Sequence, residues 1–180
     1  MTLITANLEI DAPTSVEVVR VGSTLELADA VNAAASDADV IVMAAAVADY
    51  RPDSVADDKI KKEAQGDILE LRLVKNPDIL QGLSQHRTPG QVIVGFAAET
   101  EADDAKLLDL GRAKVARKGA DLLVVNRVGW TEGFATDTNT VVIVNRAGAI
   151  VGGASGSKAS VAESILDVIS NSSKVPGAIE

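Results

Sequence analysis

Two lysine groups and two strand ends hold most of the residues in this chain that could do chemistry. The apolar run 40–47 breaks into Ala48-Asp49-Tyr50-Arg51-Pro52 and soon reaches Lys59-Ile60-Lys61-Lys62. Small side chains let a planar ligand approach the backbone, and ammonium groups suit polyanions as mobile point charges. In open α/β sheets the crevice outside the carboxyl ends of the strands is where ligands bind. Asp49 can hydrogen-bond a sugar hydroxyl or a base edge, and Lys59 can neutralise charge developing on a phosphoryl or acyl oxygen. The alternative is an ordinary solvated loop. On the first reading the site takes something flat and phosphorylated.

Three further groups point the same way, each with a plainer alternative. In Lys75-Asn76-Pro77-Asp78-Ile79-Leu80, Asn76 can cap a helix with Pro77 in its first position, leaving free N–H groups that attract phosphate. Simple capping explains the same residues. Gly95-Phe96-Ala97-Ala98-Glu99-Thr100 is a second strand end dissolving into small residues, with Phe96 available to a base or to the core. Lys114 and Lys118 share a helix face at i,i+4, placed either to reach a triphosphate or to complement the negative end of the helix dipole.

Other chemistries lack material. With no cysteine and His86 as the single histidine, there is neither thiolate catalysis nor a histidine-based metal site or triad. His86 reads as a solvated helix end. Gly152-Gly153-Ala154-Ser155-Gly156-Ser157-Lys158 fails the spacing of a phosphate-binding P-loop and reads as a turn before the last helix.

Those residues need a scaffold, and the composition supplies one. The chain has 180 residues, 47% hydrophobic and 24% charged, enough for one domain with a real core. A net charge of −9, with one Trp, one Tyr and two Phe, argues against nucleic acid as a partner. No apolar run is long enough to span a membrane, and the first ten residues lack a signal-peptide pattern, so the expected location is cytoplasmic. Apolar strands alternate with helical patterns, predicting a layered α/β fold. Strands are expected over 2–5, 15–20, 39–47, 68–74, 91–98, 122–125, 140–144 and 149–152, the last two joined by a hairpin at Arg146-Ala147-Gly148. Ser23-Thr24-Leu25-Glu26 is a capping box opening a helix with Leu27, Ala30, Val31 and Ala34 inward. A helix over 103–118 stops at Gly119, and Ser160-Val161-Ala162-Glu163 opens the last one, with Val161, Ile165, Val168 and Ile169 inward. Residues 1–170 form a single nucleotide-binding domain and 171–180 a flexible tail. No linker divides the chain. The first strand stands where a doubly wound domain would have its second.

Taken in order, Ala44-Ala-Ala-Val-Ala-Asp-Tyr-Arg51, Lys59-Ile-Lys-Lys62, Lys75-Asn-Pro-Asp-Ile79, Gly95-Phe-Ala-Ala-Glu-Thr100 and Lys114-x-x-x-Lys118-Gly-x-Asp-Leu-Leu-Val-Val-Asn126 closely resemble bacterial phosphopantothenate–cysteine ligase, the synthetase half of a bifunctional coenzyme A biosynthesis protein. The likeness runs from about residue 1 to 170, with its core over 43–139. It implies a Rossmann-like three-layer α/β domain with a mostly parallel central sheet and a smaller β dimerisation element around 59–74. It also implies CTP-dependent ligation. The carboxylate of 4′-phosphopantothenate is activated as an acyl-cytidylate with loss of pyrophosphate, and the amine of L-cysteine then displaces CMP.

Carried over by position, Met43, Ala44 and Ala45 meet the cytosine through backbone groups, and Asp49 binds the nucleotide. Lys59 acts in nucleotide contact and in turnover of the acyl-cytidylate. Pro77, Asp78, Ile79 and Leu80 line the nucleotide site with Phe96 near the base, while Lys114 and Lys118 hold the triphosphate with Mg²⁺. Asn126 and Phe134–Asn139 match family sequence without an assigned role. The family is dimeric. Its Gly-Gly-Thr-x-Glu turn and Asn-x-Ser-Ser-Gly loop do not occur in these 180 residues, and Ala6-Asn7-Leu8 replaces a usual Gly-Pro-Val. The expectation is an N-terminally incomplete ligase domain, impaired in catalysis, without FMN, whose decarboxylase half belongs to a longer protein. The rival readings are another nucleotide-binding Rossmann-like domain and a non-catalytic dimerisation fragment.

Overall fold

The computed structural model describes residues 1–8, 10–61, 67–128 and 138–173. Lys62, positions 134–137 of the Phe134–Asn139 stretch and most of the expected tail lie outside them. The chain forms two compact units, one of residues 1–33 and 46–78, the other of residues 34–45 and 79–180. It passes between them three times, so neither unit is one continuous stretch of sequence.

In the first unit, β1 (Thr2–Thr5) runs parallel to β2 (Glu17–Arg20). The second strand starts later than expected because Thr14 and Ser15 make a turn. Helix α1 (Thr24–Ala35) opens at its capping box. Ser23 Oγ accepts from the Glu26 N–H at 3.2 Å, and the Glu26 carboxylate reaches back to the Gly22 N–H at 2.6 Å. The first bond satisfies a donor that a helix start leaves open, and the second ties the residue before the cap back to the helix. Strands β4 (Tyr50–Pro52) and β5 (Leu73–Lys75) pair antiparallel. The long alternating strand expected over 68–74 is thus corrected to β5 alone. Alternation builds a strand only against a core, and Ile68, Leu69 and Leu71 are exposed in this chain.

The second unit is built on a sheet ordered β3-β6-β7-β8-β9, namely Val40–Met43, Val92–Glu99, Leu122–Arg127, Thr138–Asn145 and Ile150–Ser157. The first three strands are mutually parallel, and β8 is antiparallel to both its neighbours. Strands β3, β6, β7 and β9 therefore all point one way, the mostly parallel sheet that the family resemblance implies. Helices α2 (Ile79–Gln85) and α3 (Asp104–Lys118) cover one face and α4 (Lys158–Ser173) the other. The alternation of strand residues shows this directly. Gly95 lies against Leu80 of α2 and Gly111 of α3 against Val125. On the opposite face Val94 and Val124 pack with Val161, Ile165 and Ile169 of α4. Ile93, Val94, Leu123 and Val124 are fully buried, each contributing about 1.5–3 kcal/mol in apolar transfer.

Helix α3 begins and ends as its sequence predicts. Asp103 accepts from the Lys106 N–H at 2.9 Å, and Gly119 takes the left-handed conformation (φ 68°) that few other residues adopt cheaply. The starts of α2 and α4 are corrected. Helix α2 starts at Ile79, so Asn76 is not its cap. Helix α4 starts at Lys158, and its capping hydroxyl is Ser157, which accepts from the Ser160 N–H at 3.2 Å. The stretch read as a turn, 152–158, is instead most of β9 running straight into α4. Gly152 is required there, since a Cβ would fall 2.7 Å from Val168 Cγ2.

At the amino end of β7, the Asp121 carboxylate is 1% exposed and sits between two guanidinium groups. Arg87 Nη1 lies 2.7 Å from both its oxygens, Arg146 Nη2 2.9 Å from one, and the Ile93 N–H donates to it at 2.7 Å. A buried charge persists only with such partners. This cluster ties the start of β7 to β6, to the residues after α2 and to the β8–β9 turn.

Candidate functional site

The carboxyl edge of the second unit's sheet is stepped. Strand β3 ends at Met43, opposite Gly95, while β6 continues through Glu99 in register with β7 alone. The strand expected over 39–47 therefore stops four residues early. Residues 44–48 are small and carry no ladder, so burial gives the backbone little reason to continue in the sheet. The step brings Met43, with Ala44 and Ala45 following, beside the overhang Phe96–Glu99. Ala44 and Ala45 are exposed there, and the overhang has no ladder partner in β3, the kind of strand end at which open α/β sheets bind ligands.

Leu80 reaches this step from α2. A Cβ on Gly95 would overlap Leu80 Cδ2 and fall 3.1 Å from Leu123 Cδ1. Gly95 thus permits Leu80 to lie across the end of the β3–β6 pair. Ile79, beside it, is 7% exposed and belongs to the core. Phe96 faces the other side of the sheet and packs against the cluster shared with α4. Core packing is therefore what its ring does in this structure.

Lys114 is held at the same edge. Its Nζ lies 2.5 Å from Glu99 Oε1, with side chains 29% and 18% exposed. The helix dipole alone does not account for its position, since a specific carboxylate at the end of β6 fixes it. Lys118 is the last residue of α3.

The first unit holds the remaining residues. Asp49 directly precedes β4, and its carbonyl accepts from the Asn76 N–H at 2.8 Å. Asn76 is 6% exposed and uses its whole amide. Its Nδ2 donates to the Ala48 carbonyl at 2.9 Å and to Thr24 Oγ1 at 3.3 Å, and its Oδ1 accepts from Arg51 Nη1 at 3.2 Å. Arg51 also donates to the Lys75 carbonyl at 3.0 Å. Asn76 and Arg51 thus fasten the backbone carrying Asp49 to the backbone leading into Pro77 and Asp78. Lys59 is exposed in a segment without regular structure.

The structure therefore gathers Met43, Ala44, Ala45, Leu80 and Lys114 around one stepped edge, and Asp49, Pro77 and Asp78 around one buried amide. Two contributors escaped sequence reading: Glu99 as the partner of Lys114, and Asn76 as a clamp instead of a cap. The first contact joins a strand end to a helix turn, which no local spacing rule reports. The second was signalled only by an Asn two residues too early for the helix that follows. His86 is exposed, its Nδ1 2.9 Å from the Gly82 carbonyl, consistent with a solvated helix end.

Comparison with known proteins agrees with this architecture. Residues 1–172 match the family described as DNA/pantothenate metabolism flavoprotein C-terminal domain. The chain is 46% identical over 162 residues to the coenzyme A biosynthesis bifunctional protein CoaBC of Mycobacterium tuberculosis, covering 87% of this chain and 38% of that protein. With the Escherichia coli CoaBC it shares 40% identity over 143 residues, 78% of this chain and 34% of that one. It thus spans well under half the length of these relatives. The crystal structure of the C-terminal domain of a CoaBC superposes with a TM-score of 0.72 at 28% identity, covering 94% of this chain and 74% of that one. A Cab2 variant in complex with phosphopantothenate-cysteine has the same fold, with a TM-score of 0.63 at 20% identity over 88% of this chain and 53% of that one.

Proposed function

Because this chain belongs to the DNA/pantothenate metabolism flavoprotein C-terminal domain family, we propose that it is the phosphopantothenate–cysteine ligase domain of coenzyme A biosynthesis. In this reading it uses CTP to join 4′-phosphopantothenate and L-cysteine through an acyl-cytidylate. The observation that carries the reading is the stepped sheet edge, where small residues, a strand overhang and an ordered lysine meet. Backbone donors and acceptors after Met43 suit the edge of a pyrimidine. Ala44 and Ala45 leave room for it, and Leu80 offers an apolar surface beneath it. Lys114 and Lys118 take the phosphates, Asp49 takes a nucleotide hydroxyl, and Pro77, Asp78 and Ile79 complete the nucleotide-binding stretch.

Phosphoryl and acyl transfer of this kind depends on positioning and charge stabilisation more than on covalent help from the protein. Lys59 is assigned the charge that develops as the acyl-cytidylate forms and collapses. Mg²⁺ enters with the nucleotide, on its phosphate oxygens. Among the described residues no group of three His, Asp or Glu side chains gathers to hold a metal by itself. The proposal includes a homodimer, with the segment around 59–74 at the contact, and a decarboxylase half in the longer protein. Among the described residues no helix is long and apolar enough to cross a membrane.

The test is an assay for pyrophosphate release with 4′-phosphopantothenate, L-cysteine and CTP, run on the full-length protein that contains this domain. The proposal expects sustained release over many turnovers that requires both 4′-phosphopantothenate and L-cysteine, since cysteine must discharge each acyl-cytidylate, and that is abolished by Lys59→Gln with folding intact. Release that persists in that variant would remove Lys59 from the mechanism. A reaction indifferent to 4′-phosphopantothenate would remove the ligase reading.

A further inference from the structure

We propose that Glu99 is a displaceable counter-ion for Lys114, a carboxylate that the incoming triphosphate must replace and that lowers the site's hold on polyanions. The inference rests on the assignment of Lys114 to the triphosphate. Glu99 closes β6 at the stepped edge, and its Oε1 lies 2.5 Å from Lys114 Nζ. Both groups are mostly shielded from water, where an ion pair is screened less than on an open surface. Neighbouring charges have other partners. Arg127, opposite Glu99 on β7, donates to the Glu101 carbonyl at 3.0 Å and pairs with Asp104.

The pair has two opposed effects. It orders a side chain with several rotatable bonds, so Lys114 is already at the sheet edge before a ligand arrives. It also cancels the lysine's charge, so an approaching anion meets a dipole and a nearby negative oxygen. Binding through Lys114 then exchanges one anionic partner for another. A polyanion with several charges makes that exchange favourable more readily than a monoanion does. The same carboxylate helps to expel pyrophosphate once it has been cleaved from the nucleotide.

Glu99→Gln isolates the effect, because glutamine keeps the length and an acceptor oxygen for Lys114 while deleting the charge. The experiment is calorimetric titration of the 180-residue chain with CTP and, separately, inorganic tripolyphosphate and pyrophosphate, at two salt concentrations. The proteins compared are wild type, Glu99→Gln, Glu99→Asp, Lys114→Ala and the Glu99→Gln/Lys114→Ala double variant. Freeing Lys114 from a partly exposed ion pair, at the upper end of what such pairs contribute, predicts roughly fivefold tighter binding of all three anions in Glu99→Gln, with a steeper salt dependence. In the Lys114→Ala background the same change should have little effect. Glu99→Asp should fall between wild type and glutamine, and it serves if the glutamine variant does not fold.

A merely structural glutamate predicts the opposite sign, weaker binding in Glu99→Gln, and that result would overturn the proposal. So would tightening that persists without Lys114. Loss of only the Mg²⁺-dependent part of CTP affinity would overturn it too, by making Glu99 a metal ligand. If wild type binds none of the anions, or Lys114→Ala binds them unchanged, the triphosphate assignment fails, and this inference with it. Binding that survives in wild type and drops in Lys114→Ala, with Glu99→Gln unaltered, overturns the counter-ion alone.

Discussion

Single side chains decide which alternative holds at each motif. Lys114 was equally compatible with a dipole role and with phosphate. Its pairing with Glu99 at the end of β6 places it at the sheet edge, where Lys114→Ala should weaken CTP binding about tenfold and leave the thermal midpoint nearly unchanged. Calorimetric titration of that variant checks the first and a thermal melt the second. Gly95 is a second decisive position. Adding one methyl there forces Leu80 aside, and overpacking of this kind costs about 1–3 kcal/mol. Gly95→Ala should therefore lower the urea midpoint and also weaken nucleotide binding, because Leu80 is the surface that moves. An unaltered affinity would mean that Leu80 does not line the nucleotide site. Phe96 answers in the other direction, since its ring belongs to the core under α4.

At the scale of elements, sequence patterns read well where local chemistry closes locally. The capping box at Ser23, the Asp103 cap and the Gly119 stop each use residues within five positions of one another, and the structure has all three. The central strands 92–99 and 122–127 were legible because burial on both faces leaves nearly unbroken apolar runs. Reading failed where the deciding partner is remote. The run 40–47 looks like one strand, yet its ladder ends opposite Gly95. The alternation over 68–74 has no core to answer to among the described residues, so only Leu73 and Val74 of it pair in a ladder. The glycines of β9 resembled a turn, but they lie in a strand, where Gly152 leaves room for Val168 of α4. Asp121 is the clearest remote partner, joining segments 34 residues upstream and 25 downstream of it (121 − 87 and 146 − 121). Asp121→Asn would leave two guanidinium groups facing a neutral amide. We expect a loss of about 3 kcal/mol, measured as a lower denaturant midpoint at unchanged slope.

At the scale of the whole molecule, the proposal is a binding equilibrium. A ligand that engages the folded chain should stabilise it by mass action, about 2.7 kcal/mol at a concentration a hundred times its Kd. CTP should therefore raise the unfolding midpoint more than ATP or NAD does, and high salt should erode the gain, since the chain carries a net charge of −9 and relies on clustered lysines to attract an anion. The most direct test is calorimetric titration of this chain with CTP and Mg²⁺, with ATP and NAD as competitors. Our account predicts saturable binding of CTP that neither competitor displaces at equal concentration. Binding with no preference for CTP, or none at all, would contradict the assignment of this sheet edge as a cytidine triphosphate site.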